Sequence, residues 1–120
     1  MTGAILIVED EPLIAMMLED FLEILGHRVV GPHDCVAQGV AAVAAGGLSA
    51  AIIDINLRGG ETSVALAEAL SKAAIPFAIA SGHGDPPGLS PAFAGRPTLA
   101  KPFTLADVER VLGDLAEPSH

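Results

Sequence analysis

The sequence predicts an α/β fold built on a doubly wound, five-stranded parallel sheet with helices on both faces. Short apolar runs alternate about five times with stretches of helical periodicity along the 120 residues. The runs are almost continuous in Ala, Ile, Leu and Val, which is typical of strands buried on both faces of a parallel sheet. Because 51% of the residues are hydrophobic, the chain can bury a core of the size that one such domain needs.

Three strands and two helices are predicted in the first half of the chain. The strands lie at residues 4–8, 28–31 and 50–53, and the helices at residues 12–25 and 35–45. A proline at residue 12 suits the first turn of the first helix, and a glycine at residue 26 suits its end. Two glycines stop the second helix.

The second half is predicted to add two helices and two strands around an irregular segment. The helices lie at residues 62–73 and 105–115, and the strands at residues 75–80 and 98–100. Thr104 is expected to cap the last helix. Four prolines exclude a long helix from residues 81–97, so the fourth helix, which follows the fourth strand, is expected to be short or disordered.

Composition limits the classes of function. The formal net charge is −9 and the chain has only six Lys and Arg residues, which are scattered. A nucleic-acid partner is therefore not expected, because such proteins cluster basic residues on one face. One cysteine excludes an internal disulfide and gives no cysteine-rich metal site.

The length predicts one domain over residues 1–120 with no output domain. No apolar run approaches the ~20 residues that a membrane-spanning helix needs, so no membrane association is expected. The first residues lack the basic region and cleavage site of a signal peptide. A cytoplasmic location is the prediction that follows.

Polar and charged residues follow the predicted strands. Glu9 and Asp10 follow the first strand, Asp54 the third, Ser81 the fourth and Lys101 the fifth. Ligands of open parallel sheets bind beyond the carboxyl ends of the strands, so these five side chains are expected to form one site.

The residue types indicate the chemistry of this site. Three neighbouring carboxylates stay ionised only if a cation compensates their charge. Oxygen ligands without His or Cys favour Mg²⁺, which shares its coordination with water and phosphate oxygens. A carboxylate beside a divalent cation, a lysine and a hydroxyl is the set that phosphoryl transfer onto an aspartate requires, with Asp54 as the nucleophile.

Four short motifs resemble those of the response-regulator receiver domain, the CheY-like superfamily of two-component signalling. In chain order they are "VEDEP" at residues 8–12, "IIDINL" at 52–57, "AS" at 80–81 and "AKPF" at 100–103. The resemblance covers essentially the whole chain. It implies the flavodoxin-like (βα)5 topology and control by phosphorylation.

The resemblance assigns the phosphoryl chemistry to three residues. Asp54 is the phosphoacceptor, and Ser81 and Lys101 bind the phosphoryl group. The peptide bond between Lys101 and Pro102 is expected to be cis, a conformation that proline makes accessible.

The resemblance also implies a Mg²⁺ site. Asp10 and Asp54 bind the ion directly, and Glu9 binds it through water. Asn56 contributes its backbone carbonyl oxygen.

The chain departs from the usual receiver pattern at two positions. Thr98 stands where the family usually has Tyr or Phe, and residues 57–60 replace the usual Met-Pro after the phosphoacceptor. The usual switch by rotation of an aromatic ring is therefore unavailable. The stretch "PFAIASGHG" resembles the FATGUY subclass of receivers, in which a glycine follows the switch residue and the fourth helix is short or disordered.

The expected function is that of a single-domain response regulator rather than an enzyme. A histidine kinase or a histidine phosphotransfer protein would donate the phosphoryl group, and an unknown downstream protein would receive the signal. A phosphate sink or shuttle and a phosphorylation-independent adaptor are the alternatives. A phosphatase of the haloacid dehalogenase type is disfavoured, because it needs a second Asp where this chain has Asn56.

Overall fold

The sheet and its helices follow the predicted alternation. The computed structural model describes residues 3–55, 57, 63–81 and 95–116. Within these residues the elements are β1 (Ala4–Val8), α1 (Pro12–Ile24), β2 (Val29–His33), α2 (Val36–Ala45), β3 (Leu48–Asp54), α3 (Val64–Lys72), β4 (Phe77–Ser81), β5 (Thr98–Ala100) and α4 (Leu105–Ala116). The five strands form one parallel sheet in the order β2-β1-β3-β4-β5, which confirms the predicted architecture.

Both faces of the sheet are buried beneath helices. Along β1, Ile5 and Ile7 pack on one face with residues of α1 and α4, whereas Leu6 and Val8 pack on the other with residues of α2 and α3. This alternation follows from the two-residue period of a strand. Since helices cover both faces, every residue of β1 is buried, and the sequence of the strand is apolar throughout.

The register places the carboxyl ends of the central strands side by side. Val8 pairs with Ile53 between β1 and β3, and Asp54 pairs with Ala80 between β3 and β4. Ser81 pairs with Ala100 between β4 and β5. The residues that end or follow these strands therefore meet at one edge of the sheet.

Several elements have bounds that differ from the predicted ones. β2 runs to His33 and includes Pro32, which an edge strand tolerates because half of its N–H groups face away from the sheet. α3 begins at Val64 rather than at residue 62. The segment predicted to lack a long helix falls mainly in residues 82–94, outside the described residues.

Thr104 caps α4 as predicted. Its hydroxyl accepts a hydrogen bond from the N–H of Asp107 at 3.2 Å, and its own N–H donates to the Asp107 carboxylate at 2.9 Å. These two bonds form a capping box with Asp in place of the usual Glu. They hold the pKa of Asp107 below its usual value.

Two helices end in the same hydrogen-bonded motif but with different residues in the left-handed conformation. After α1, Gly26 has φ +89°, and the N–H of His27 donates to the carbonyl of Leu22. After α3, Ala74 has φ +58°, and the N–H of Ile75 donates to the carbonyl of Leu70. Both are Schellman motifs, in which glycine is the residue that adopts positive φ without a steric penalty.

None of the helices in the described part of the chain is long and apolar enough to cross a membrane.

We expect Ala74→Gly to stabilise the protein by about 0.5–1 kcal/mol. The alanine side chain opposes the left-handed conformation by about 1–2 kcal/mol, and the greater freedom of glycine in the unfolded chain offsets part of the gain. Urea denaturation measures the change. Ala73→Gly is the matched control, because Ala73 has φ −83° and glycine there should destabilise the helix end. A loss of stability in Ala74→Gly would contradict the assignment of strain to Ala74.

Candidate functional site at the carboxyl edge of the sheet

The topology brings the predicted site residues to one edge of the sheet. Glu9 and Asp10 directly follow β1, Asp54 is the last residue of β3, Ser81 is the last residue of β4 and Lys101 directly follows β5. The main chain of Ser81 pairs with Ala100, the residue before Lys101.

Three carboxylates form a cluster at this edge. One carboxylate oxygen from each of Glu9, Asp10 and Asp54 lies within 4.8 Å of the others. Glu9 and Asp54 are only 3% and 6% exposed, whereas Asp10 is half-buried. Two of the three charges are thus shielded from water, which would otherwise weaken their mutual repulsion.

Lys101 lies between the carboxylates. Its Nζ atom is 2.9 Å from Oε1 of Glu9 and 3.2 Å from Oδ2 of Asp54. Its side chain is only 10% exposed, so these ion pairs are poorly screened by solvent. The peptide bond from Lys101 to Pro102 is cis, as the sequence resemblance implied.

Glu11 is a neighbour of the cluster that was not predicted from the sequence. Its Oε1 atom lies 3.5 Å from Lys101 Nζ, and its N–H donates to Oε2 of Glu9 at 3.1 Å. The Glu11 side chain is 63% exposed, so its ion pair contributes little to stability. The hydrogen bond from the Glu11 N–H matters more for the site, because it fixes the orientation of the buried Glu9 carboxylate.

The cluster changes the proton affinity of Glu9. Burial raises the pKa of the Glu9 carboxyl to about 7, the contact with Lys101 opposes this rise, and the negative charge of Asp54 adds to it. Burial lowers the pKa of Lys101, but the contact with Glu9 and the charge of Asp54 outweigh it and leave the pKa above its usual value. Lys101 therefore stays cationic at neutral pH, while Glu9 is partly protonated.

The donor atoms fit a small divalent cation. The cluster offers carboxylate oxygens alone, the ligand type that Mg²⁺ prefers. Oε1 of Glu9 is buried, and no donor among the described residues is oriented to form a hydrogen bond with it. Lys101 Nζ lies 2.9 Å from this oxygen, so the contact between them is an ion pair.

Asn56, which the sequence assigned to the metal through its carbonyl, lies outside the described residues. Its neighbours Ile55 and Leu57 are buried against the face of the sheet that α3 covers.

Ser63 is a second residue that was not predicted from the sequence. Its hydroxyl donates to the backbone carbonyl of Asp54, and its N–H donates to the carbonyl of Ile55 at 3.0 Å. The helix predicted over residues 62–73 placed Ser63 in its first turn, where nothing in the sequence indicates a contact with a residue nine positions away. Only the fold shows that Ser63 contacts the end of β3.

The chain resembles solved receiver structures over nearly its whole length. It is 53% identical to SdrG from Sphingomonas melonis Fr1, with a TM-score of 0.86 over 96% of this chain and 97% of that one. The BeF3-activated conformation of SdrG from Pseudomonas melonis Fr1 matches at 52% identity, with a TM-score of 0.81 over 97% and 98% of the two chains.

Proteins named PhyR are further relatives. The receiver domain of the PhyR response regulator from Erythrobacter litoralis is 28% identical, with a TM-score of 0.74 over 99% of this chain and 96% of that one. The phyllosphere-induced regulator PhyR of Methylorubrum extorquens AM1 is 34% identical over 120 residues, which cover 93% of this chain and 43% of that protein. The chain thus spans less than half the length of this curated relative. No family model matches the chain.

These likenesses agree with the fold and with the order of the motifs. The chain belongs to the response-regulator receiver domains of the CheY-like superfamily. Its membership of the FATGUY subclass stays a prediction, because most of the distinguishing positions after β4 lie outside the described residues.

We expect the metal-free protein to lose stability as the pH rises from about 4.5 to above 7. The folded-state pKa of Glu9 is about 7, against an ordinary value of 4.5, so its contribution is complete below pH 4.5 and is lost as the pH passes 7. Since one pKa unit corresponds to about 1.4 kcal/mol, the loss is on the order of 3 kcal/mol. Urea denaturation at a series of pH values in the presence of a chelator measures it.

Glu9→Gln is the control, because glutamine does not titrate. Every other titrating group is present in both proteins, so the difference between the two curves isolates Glu9. Parallel pH dependence in the native protein and Glu9→Gln would show that the carboxyl of Glu9 has an ordinary pKa.

Proposed function

We propose that the chain is a phosphorylation-controlled signalling module that accepts a phosphoryl group on Asp54. The donor is a histidine kinase or a histidine phosphotransfer protein, and the phosphorylated form acts on a downstream protein by direct binding. The only chemistry assigned to the chain is its own phosphorylation and dephosphorylation. The net charge of −9 supports a protein partner rather than a nucleic acid.

One observation carries this proposal: Lys101 Nζ lies 3.2 Å from Oδ2 of Asp54 inside a cluster of three carboxylates. A salt bridge that served stability alone would not need three acids around one cation. The surplus of negative charge instead suits a second cation, and a hard oxygen set suits Mg²⁺. Held directly by Asp10 and Asp54, by the backbone carbonyl of Asn56 and through water by Glu9, Mg²⁺ would offset the negative charge of the phosphoryl oxygens.

The side chains then have distinct roles in the transfer. A carboxylate oxygen of Asp54 attacks phosphorus as the bond from phosphorus to the donor nitrogen breaks, and the electron pair of that bond stays on the donor imidazole. Lys101 donates to a phosphoryl oxygen, where its charge stabilises the negative charge of the transferred group. The hydroxyl of Ser81 is assigned a second such hydrogen bond.

To reach the phosphoryl group, Lys101 must give up part of its pairing with Glu9 and Asp54. Transfer converts the Asp54 carboxylate into an acyl phosphate, so that partner loses its own charge as the phosphoryl charge arrives. Glu9 keeps its carboxylate and remains close to Lys101. The cation therefore changes partners without leaving the edge of the sheet.

The comparisons support phosphorylation over the phosphorylation-independent adaptor. SdrG adopts an activated conformation with BeF3, and this chain is 52% identical to it. Beryllofluoride is a stand-in for a phosphoryl group on a carboxylate. The complete acidic cluster of this chain is consistent with the same response. A phosphate sink or shuttle uses the same site and differs only in what happens to the phosphoryl group afterwards.

We expect acetyl phosphate with Mg²⁺ to add one phosphoryl group to the native protein, detected by intact-mass spectrometry. Asp54→Asn should gain no mass, because an amide is not a nucleophile of comparable strength. Alkaline treatment should remove the added mass, as it does from an acyl phosphate.

Asp20→Asn is the matched control, since Asp20 is an exposed acid of α1 away from the strand ends. This variant should be phosphorylated as the native protein is. Mass gain in Asp54→Asn equal to that of the native protein would refute Asp54 as the acceptor. No gain in any variant, with Mg²⁺ and donor in excess, would favour the adaptor.

A further inference from the structure

Ser63 makes two hydrogen bonds to the end of the phosphoacceptor strand. The residue is completely buried. Its hydroxyl donates to the backbone carbonyl of Asp54, and its N–H donates to the carbonyl of Ile55 at 3.0 Å. Two adjacent main-chain carbonyls at the site are therefore held by one residue from the far side of the β3–α3 connection.

The Ser63 hydroxyl does not perform the usual task of a serine at this position. Ser63 is the N-cap residue of α3, where a hydroxyl ordinarily accepts an N–H bond from the first turn, yet it makes no such bond. The helix is still tied to Ser63, because the N–H of Ala67 donates to the Ser63 carbonyl at 2.8 Å. The hydroxyl is thus committed to Asp54, while the main chain continues into α3.

The sheet alone holds the end of β3 weakly. The last ladder bond there joins the N–H of Ile55 to the carbonyl of Ala80 at 3.4 Å, which is long for this type of bond. Asp54 is the last residue of β3, so the bonds from Ser63 add to the restraint on its peptide group.

We propose that Ser63 is a positioning residue for phosphorylation, which holds the main chain of Asp54 so that its carboxylate stays aligned with Lys101. The inference rests on the proposed function, since it concerns the rate of that reaction. The Ser63 side chain contacts the Asp54 backbone and acts through it. Because small displacements of a reacting group cost large factors in rate, loss of this hydrogen bond should slow phosphorylation.

The experiment compares the native protein, Ser63→Ala, Ser63→Cys and the control Ser71→Ala. Phosphorylation rates are measured over a range of acetyl phosphate concentrations with excess Mg²⁺, so that the maximal rate and the half-saturating concentration are obtained separately. Ser71 is the matched control because it is a serine within α3 whose hydroxyl accepts a hydrogen bond from Arg96 and makes none to β3. The free energy of unfolding is measured for each protein.

Ser63→Ala should lower the maximal rate about tenfold with little change in the half-saturating concentration. Ser63→Cys leaves no cavity and replaces the hydroxyl by a slightly larger, much weaker donor, so it should lower the maximal rate in the same direction. Ser71→Ala should react like the native protein. If Ser63→Ala does not fold, Ser63→Cys alone decides the result.

A maximal rate in folded Ser63→Cys equal to that of the native protein would overturn the inference, even if the variant were less stable, since the role would then be structural only. That outcome leaves the proposed function intact. Failure of the native protein to react would instead overturn the proposed function, and the inference with it.

Discussion

The contact of Lys101 with Glu9 and Asp54 is the interaction on which the site depends. Two buried carboxylates and a half-buried third lie at one edge of the sheet, where their repulsion would oppose folding without a cation. The ammonium of Lys101 lies 2.9 Å from one and 3.2 Å from another. It compensates only part of the charge, and burial, with the charge of Asp54 adding to it, raises the pKa of Glu9 to about 7.

The fold makes this concentration of charge possible. Strands β1, β3, β4 and β5 are parallel neighbours. The residues that end or follow these strands therefore lie at the same edge of the sheet, and no long loop is needed to bring them together. Apolar residues on both faces of the sheet, among them Ile52 and Ile53 of β3, hold Asp54 at the strand end by packing. The stability of the core thus offsets the cost of a charged, buried site.

Most of the architecture and the principal site residues could be predicted from the sequence, for physical reasons. Buried parallel strands are continuous apolar runs, so the acids at residues 9, 10 and 54 stand out at their ends. Parallel topology then places these acids together with Lys101. The capping bond of Thr104 was also predictable, because it is local.

Contacts that depend on side-chain direction could not be predicted in this way. Ser63 falls inside the helix predicted at residues 62–73, and the sequence indicates no role for Glu11 in the site. Their hydrogen bonds to the Asp54 carbonyl and the Glu9 carboxylate appear only when the chain is folded. The left-handed Ala74 was missed for a related reason, since an alanine carries no signal for a helix end. The roles of Asn56 and the segment after β4 remain predictions, because they lie outside the described residues.

A crystal structure with Mg²⁺ and beryllofluoride tests the central claim most directly, which is that Lys101 changes partners when Asp54 carries a phosphoryl group. The account predicts beryllofluoride bonded to an Asp54 oxygen, Mg²⁺ among the three carboxylates, and Lys101 Nζ at about 3 Å from a fluorine. Beryllofluoride bonded to Asp54 while Lys101 Nζ stays paired with both Glu9 and Asp54, as in the free protein, would contradict it.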